Sequence, residues 1–230
     1  MLKPSVNFGA AIISILIGAA CSPANSAPRN DAAAAAASAA SGPGASTDPV
    51  VAAADHGRIM GDSSVKTWVV IASDFQCPYC REWHEESYRN FVADYVRTNK
   101  VKVAYLNFPL GSHQNAVPAA QAAMCASSQN KFWQFHDALF DSQKQWQAMQ
   151  NPRPVMDSIA RAVGVDFDSW SKCVNSDRML PLIFADRDRA ASAGVSATPS
   201  FLIGGQLIEG AVPYSELKPV IDSAIAKDKG

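Results

Sequence analysis

The chain has 230 residues, 48% of them hydrophobic, and a formal net charge of −1. This length accommodates one domain with appendages, and the balanced charge gives no electrostatic reason to expect binding to nucleic acid. Five cysteines are too few for a small disulfide-rich scaffold, so their meaning depends on where they lie in the chain.

Residues 1–26 have the pattern of a signal peptide. Lys3 supplies positive charge, and the uncharged stretch from Phe8 to Ala20 is too short to span a membrane but suits the apolar core of a leader. Cys21 follows small residues and resembles a lipoprotein cleavage site, although Gly18 stands where that pattern prefers leucine. We therefore predict export, with a lipid anchor at Cys21 as one alternative and a short N-terminal anchor or disordered tail as another.

Residues 27–49 are rich in alanine, serine, glycine and proline. Such a composition lacks an apolar partner face and predicts a disordered linker. The folded domain is then expected to occupy residues 50–228.

The domain begins with a strand–helix–strand pattern. Val65 to Ala72 is nearly all apolar at its centre, as in a strand buried on both faces. Apolar residues recur at three- and four-residue spacing from Cys77 to Thr98, which predicts a helix, and Val101 to Phe108 is a second strand. This order predicts a crossover unit with parallel strands.

A long helical region follows, at about 113–193. Its predicted helices cover 115–128, 130–142, 153–163, 167–174 and 177–192, and residues 141–154 are a loop to which we assign no role. Ser200 to Ile203 and Gln206 to Glu209 flank Gly204-Gly205, which favours a β-hairpin, and a final amphipathic helix ends the domain. The fold class is α/β.

The segment Cys77-Pro78-Tyr79-Cys80 lies where the first predicted strand leads into a helix. Unpaired N–H groups and the helix dipole favour a negative charge at a helix start, so Cys77 is expected to be a thiolate nucleophile. Pro78 suits the first helical position. Cys80, in the first turn, would be the more buried, resolving thiol.

A zinc site is the main alternative for the cysteine pair. Cys77, Cys80 and His84 could supply three ligands on neighbouring turns. Structural zinc usually takes four ligands from two such knuckles, and the sequence has no second Cys-x-x-Cys. We therefore expect no metal and no cofactor.

Several motifs in order resemble the DsbA-like family of thiol–disulfide interchange proteins, within the thioredoxin superfamily. They are Asp74-Phe75-Gln76-Cys77-Pro78-Tyr79-Cys80, Asn107-Phe108-Pro109-Leu110, Ala123-Met124-Cys125-Ala126, Lys131-Phe132-Trp133 and Thr198-Pro199. The resemblance implies a thioredoxin fold with a helical insertion between the βαβ and ββα units. It also implies that Pro199 is cis beside Cys77 and that the Thr198 backbone pairs with an extended substrate. Pro78 and Tyr79 complete the expected substrate-binding surface.

Two residues depart from the family pattern. Tyr79 stands where well-known oxidases of this family have histidine, so it cannot supply the same positive charge. Ile71 stands where many thioredoxin-fold proteins have a buried carboxylate that takes the proton of the resolving thiol. Either water or Asp74 is then expected to take it.

The remaining cysteines of the domain are Cys125 and Cys173. In an exported protein they are expected to be oxidised, and the simplest arrangement pairs them as a structural disulfide. The alternative is two buried free thiols. His56, His113 and His136 have no spacing that suggests a metal site or a triad, so we predict surface or capping roles for them.

These observations predict an exported enzyme that exchanges disulfides with extracytoplasmic proteins or peptides through Cys77 and Cys80. We favour an oxidase, periplasmic or otherwise extracytoplasmic, whose cysteine pair is reset by a membrane redox partner. The alternatives are a reductase or isomerase of the same fold, and a tethered peptide-binding module without enzymatic activity.

Overall fold

The computed structural model describes residues 46–228. The predicted signal peptide, Cys21 and nearly all of the predicted linker lie outside the described residues. Among the described residues, no helix combines the length and the apolar character needed to span a membrane.

A five-stranded mixed sheet forms the centre of the domain. Its strands are β1 (Ile59–Met60), β2 (Trp68–Ser73), β3 (Lys102–Asn107), β4 (Ser200–Ile203) and β5 (Gln206–Glu209), in the spatial order β1-β3-β2-β4-β5. Strands β2 and β3 are parallel, as the crossover pattern predicts, and the other neighbours are antiparallel. The α/β fold class is confirmed, while β1 was not predicted because two residues are too few to show a pattern.

Helices lie on both sides of the sheet and in the insertion. They are α1 (Pro49–Gly57), α2 (Pro78–Trp83, His84–Tyr88, Arg89–Phe91 and Val92–Val96), α3 (Ala116–Ser127), α4 (Phe132–Asp141), α5 (Gln143–Trp146), α6 (Arg153–Ala162), α7 (Phe167–Asn175), α8 (Leu180–Ser192) and α9 (Tyr214–Asp228). The second and fourth segments of α2 have π-helical hydrogen bonding. Helices α3 to α8 form the predicted insertion between β3 and β4.

Helix α1 was not predicted, and it begins at the last residue of the predicted linker. Pro49 occupies its first turn, and the Asp48 side chain accepts a hydrogen bond of 2.8 Å from the Val50 N–H. An acidic cap followed by proline is a favourable helix start, which explains why α1 begins at Pro49.

Both faces of β2 are buried, which explains its continuous apolar sequence. Val69 and Ile71 pack in one cluster with residues of α2 and α9. Val70 and Ala72 belong to the opposite cluster, with Ala190 of α8. The strand is therefore held in a central layer, and its carboxyl end leads directly into the cysteine segment.

Candidate active site

Cys77 lies at the N-terminus of α2. It has extended backbone angles (φ −67°, ψ 125°) and Pro78 follows in the first turn of the helix. The Cys77 carbonyl accepts a hydrogen bond of 3.3 Å from the Arg81 N–H. The backbone N–H groups of Tyr79 and Cys80 in this first turn interact with the Cys77 sulfur, as the sequence predicts.

The surroundings of Cys77 lower its pKa from 9.0 to about 6. The largest cause is a hydrogen bond with the Cys80 thiol, and contacts with Thr198 and with the backbone N–H groups of Cys80 and Tyr79 add to it. Burial opposes this lowering but does not cancel it. Cys77 is therefore mainly a thiolate at neutral pH, the reactive form of cysteine.

Cys80 has the opposite character. It is buried, and burial followed by the neighbouring Cys77 raises its pKa well above 9.0, while the Asp74 N–H and the Ser73 side chain offset part of that rise. The pair consequently holds one sulfur as an anion and the other as a thiol that donates to it. Both cysteines are free in this structure.

The Thr198–Pro199 peptide bond is cis and lies against the cysteine pair. Cys77 Sγ is 3.5 Å from the Thr198 carbonyl oxygen. The loop before it is braced by Glu209, whose Oε1 accepts hydrogen bonds from the N–H groups of Ser196 (2.8 Å) and Ala197 (3.1 Å). These hydrogen bonds fix the backbone of the loop that leads to Thr198 next to the Cys77 sulfur.

Tyr79, two residues after Cys77, has an exposed aromatic side chain. Tyr79 is 62% exposed, whereas Cys77 and Thr198, whose sulfur and carbonyl oxygen are 3.5 Å apart, are both buried. Large exposed aromatic residues next to a reactive group are suited to contact with a partner chain. The four predicted substrate-binding residues therefore belong to the same part of the fold.

Asp74 is the buried carboxylate closest in sequence to Cys77. It accepts hydrogen bonds from the Gln76 N–H (2.7 Å) and the Leu110 N–H (3.0 Å), and its Oδ2 is 2.7 Å from His113 Nδ1. Burial, the largest effect, raises its pKa above 3.8 despite these contacts. Ile71, in contrast, is buried on the apolar face toward α2, so no carboxylate is available at that position.

Gln143 is a site residue that the sequence analysis missed. Its fully buried side chain donates hydrogen bonds to the carbonyls of Phe75 (2.7 Å) and Cys77 (2.9 Å). Its Oε1 accepts a bond of 3.1 Å from Arg81 Nη1. Residues 141–154, for which no role was assigned, therefore include the short helix α5 that supports the cysteine segment. Only the glutamine-rich composition of this loop could have indicated it.

The predicted roles of the histidines are wrong in one case. His136 is 3% exposed and lies in the core between the rings of Phe132 and Phe140, because the aromatic face of α4 is buried. His113 is partly exposed and is paired with Asp74, and His56 is exposed. His84, which could have joined the cysteines as a zinc ligand, lies with His136 and Asp137 instead.

Cys125 of α3 and Cys173 of α7 are joined by a disulfide, with a Cα–Cα distance of 5.8 Å. Both residues are buried in the insertion core. This bridge ties two helices of the insertion together, and it belongs to the framework rather than to the cysteine pair at Cys77.

Known proteins resemble this chain in sequence and in fold. The thioredoxin family model matches residues 53–223. A "Probable disulfide bond formation protein D" of Bacillus anthracis is 27% identical over 171 residues, which cover 73% of this chain and 78% of the relative. A "Putative protein-disulfide oxidoreductase" of Rickettsia felis is 26% identical over 176 residues, which cover 76% of this chain and 62% of the relative. The chain thus spans less than two thirds of the rickettsial protein.

A solved structure shares the fold. The crystal structure of α-DsbA1 from Wolbachia pipientis matches with a TM-score of 0.67 at 21% identity, covering 74% of this chain and 91% of that one. The fold is thus that of the thioredoxin family, and it holds a cysteine pair in which one thiol has a lowered pKa and the other a raised one. The family model covers more than half of the chain, so the chain belongs to the thioredoxin family.

Proposed function

We propose that the protein is an exported oxidase that donates the Cys77–Cys80 disulfide to reduced extracytoplasmic proteins or peptides. The observation that supports this direction is the low pKa of Cys77, about 6. A stabilised thiolate stabilises the reduced form of the pair, and a stabilised reduced form makes the disulfide a stronger oxidant.

Transfer takes place in two exchange steps. A substrate thiolate attacks the Cys77 sulfur of the oxidised pair, the Cys77–Cys80 bond breaks, and the Cys80 sulfur leaves and takes up a proton. A second substrate thiolate then attacks the substrate sulfur of this mixed disulfide, forms the substrate disulfide and releases Cys77 as a thiolate. The substrate loses two electrons and the enzyme gains them.

Asp74 is proposed as the group that exchanges a proton with Cys80. The Asp74 backbone N–H interacts with the Cys80 sulfur, and the raised pKa of its buried carboxyl makes that carboxyl a better proton carrier near neutral pH. His113 Nδ1, 2.7 Å from Asp74 Oδ2, is partly exposed and connects the carboxyl to solvent. This pair would replace the carboxylate that Ile71 displaces.

Thr198, Pro199, Pro78 and Tyr79 are proposed to bind the substrate. The fixed backbone at Thr198 is next to the Cys77 sulfur, so an extended peptide pairing with it would bring its own cysteine to that sulfur. Exposed Tyr79 would contact the apolar side chains of the peptide. This binding mode recognises the main-chain groups of the peptide and not a particular side chain, so it suits many substrates.

An extracytoplasmic location is proposed from the chemistry of the cysteines. Stable disulfides such as Cys125–Cys173 persist in oxidising compartments. The leader-like residues 1–26 agree with periplasmic or other extracytoplasmic delivery, with or without lipid at Cys21. A membrane redox partner would then take the two electrons from reduced Cys77 and Cys80.

Titration of the Cys77–Cys80 pair in glutathione buffers tests the direction of transfer. An oxidase requires a potential clearly more positive than the about −270 mV of thioredoxin. A potential near that value would contradict the oxidase and favour a reductase.

A Cys77→Ala variant tests enzymatic activity itself. It is expected to lose disulfide exchange with a reduced model protein, while the Cys125→Ala/Cys173→Ala control keeps the reactive pair and its exchange. If Cys77→Ala exchanged disulfides like the wild type, the non-enzymatic peptide-binding module would be the better account.

A further inference from the structure

Two buried histidines face each other where helix α2 packs against the insertion. His84 follows Cys80 by about one helical turn, and His136 lies in α4. They are 2% and 3% exposed, and their ring centroids are 5.4 Å apart at an interplanar angle of 69°. Neither histidine takes part in the exchange reaction proposed above.

The polar atoms of His84 have no hydrogen-bond partner within residues 46–228. Both Nδ1 and Nε2 are buried and unbonded. Buried polar groups nearly always have a partner, and a neutral imidazole has one donor and one acceptor to satisfy. The nearest carboxylate oxygens are 3.4 Å from Nε2 and 4.0 Å from Nδ1, so Nδ1 in particular is available to a ligand.

Two aspartates flank the histidine pair. Asp137 Oδ1 is 2.8 Å from His136 Nδ1 and 4.0 Å from His84 Nδ1. Asp141 Oδ1 is 3.4 Å from His84 Nε2, on the opposite side of the same ring. The two nitrogens of His84 thus face different carboxylates, one toward His136 and one away from it.

We propose that His84, His136 and Asp137 bind one Zn²⁺ ion. One ligand atom from each residue lies within 4.8 Å of the other two. The ligand atoms of tetrahedral zinc are about 3.3 Å apart, given Zn–N bonds of about 2.0–2.1 Å, so a separation of up to 4.8 Å would have to close by about 1.5 Å. The imidazole rings of His84 and His136 would rotate toward each other, and the 48% exposed side chain of Asp137 can follow them.

The donor set selects the class of metal. Two imidazoles and one carboxylate suit zinc and similar transition metals, whereas calcium and magnesium prefer oxygen ligands. A metal-bound histidine usually donates its second N–H to a carboxylate or carbonyl, and Asp141, 3.4 Å from His84 Nε2, is placed to accept that hydrogen bond. Half-exposed Asp137 gives the ion a path from solvent, and water would complete the coordination.

The expectation of no metal rested on the cysteine pair, and the proposed site does not include it. Zinc would join α2, which contains Cys80, to α4 of the insertion. It would therefore stabilise the packing beside the cysteine pair whether or not the protein is an oxidase.

The test uses the full chain with Cys77→Ser and Cys80→Ser in every sample, so that the reactive thiols cannot bind the ion. Zinc is titrated in competition with a chromophoric chelator. We expect one Zn²⁺ per chain at this site, with affinity at least tenfold weaker in His136→Gln and in Asp137→Asn. The matched controls are His56→Gln and Asp188→Asn, both at exposed positions, and they should bind like the background protein.

Thermal unfolding gives a second readout that does not depend on the buried histidines tolerating substitution. Zinc should raise the unfolding midpoint of the background protein, because a ligand that binds only the folded state stabilises it. Asp137→Asn, at a half-exposed position, should unfold at the same midpoint without metal and show little rise with zinc. Equal zinc affinity in His136→Gln, Asp137→Asn and the background, or no zinc-dependent rise in the background, would overturn the proposal.

Discussion

The side-chain amide of Gln143 donates a hydrogen bond of 2.9 Å to the backbone carbonyl of Cys77. These residues are 66 positions apart in the chain, and the contact joins the helical insertion directly to the reactive cysteine. The insertion is therefore part of the active site, since it fixes the backbone from which the Cys77 sulfur projects.

Replacing Gln143 with methionine should lower the free energy of unfolding by about 1–3 kcal/mol. The Phe75 carbonyl would lose the hydrogen bond from Nε2, and Arg81 would lose its acceptor, in a fully buried position. Urea unfolding measures the loss. Gln145→Met, an exposed change of the same type two residues away, should shift stability by no more than about 0.5 kcal/mol. Equal effects of the two variants would contradict the supporting role.

The alkylation rate of reduced Cys77 should rise with pH through a midpoint near 6, because only the thiolate reacts. Cys80→Ala removes the thiol that donates to Cys77 and should move this midpoint upward. Rates of iodoacetamide modification, followed by mass spectrometry at residue 77, give both values. An unchanged midpoint in Cys80→Ala would show that Thr198 and the N–H groups of the helix terminus stabilise the thiolate without the Cys80 thiol.

The low pKa of Cys77 makes the stability of the reduced protein depend on pH. The folded-state pKa is depressed from 9.0 to about 6, so the thiolate contribution is complete above about 9 and is lost as the pH falls through about 6. Reduced wild type should therefore gain stability over Cys77→Ser between pH 6 and 9. Each tenfold increase in the acidity of the thiol corresponds to about 1.4 kcal/mol, and screening by solvent at the site reduces the total. Urea unfolding at several pH values measures the gain, and a stability difference that is constant over this range would exclude a folded-state thiolate.

Asp74→Asn should slow the step in which Cys80 gains or loses its proton, by about tenfold or more, because a positioned acid–base group commonly contributes about 10² or more. The second exchange step should change less, since Cys77 leaves it as a thiolate and needs no proton. Quenched-flow trapping of the mixed disulfide separates the two steps. Asp188→Asn, at an exposed site, is the control, and an unaffected rate of mixed-disulfide formation in Asp74→Asn would assign the proton to water.

Cys125→Ala/Cys173→Ala should destabilise the oxidised protein by about 4 kcal/mol, the chain-entropy value for a bridge that closes a loop of 48 residues. Guanidinium unfolding of the two proteins measures the difference. Thiol titration of denatured, oxidised wild type should find neither Cys125 nor Cys173 free. Free thiols at Cys125 and Cys173 would contradict the disulfide.

The amino-acid sequence by itself determined the features that depend on neighbouring residues. The apolar run of β2, the three- and four-residue spacing of α2 and the Gly204-Gly205 turn each follow from local periodicity or backbone preference. The position of Cys77 before Pro78 at a strand–helix junction likewise predicts a helix terminus, and a helix terminus favours an anion. The order of the predicted elements indicated the α/β fold class, and the resemblance to the DsbA-like family indicated the thioredoxin fold.

The tertiary structure alone decided which distant groups meet. Nothing in the local pattern around Gln143 shows that its amide reaches Cys77, and nothing in the spacing of His84 and His136 shows that 52 residues of chain return to place their rings 5.4 Å apart. Such contacts depend on how helices pack around the sheet, and packing is set by the summed burial of many apolar side chains. Local periodicity records which face of a helix is buried, but not which partner it is buried against.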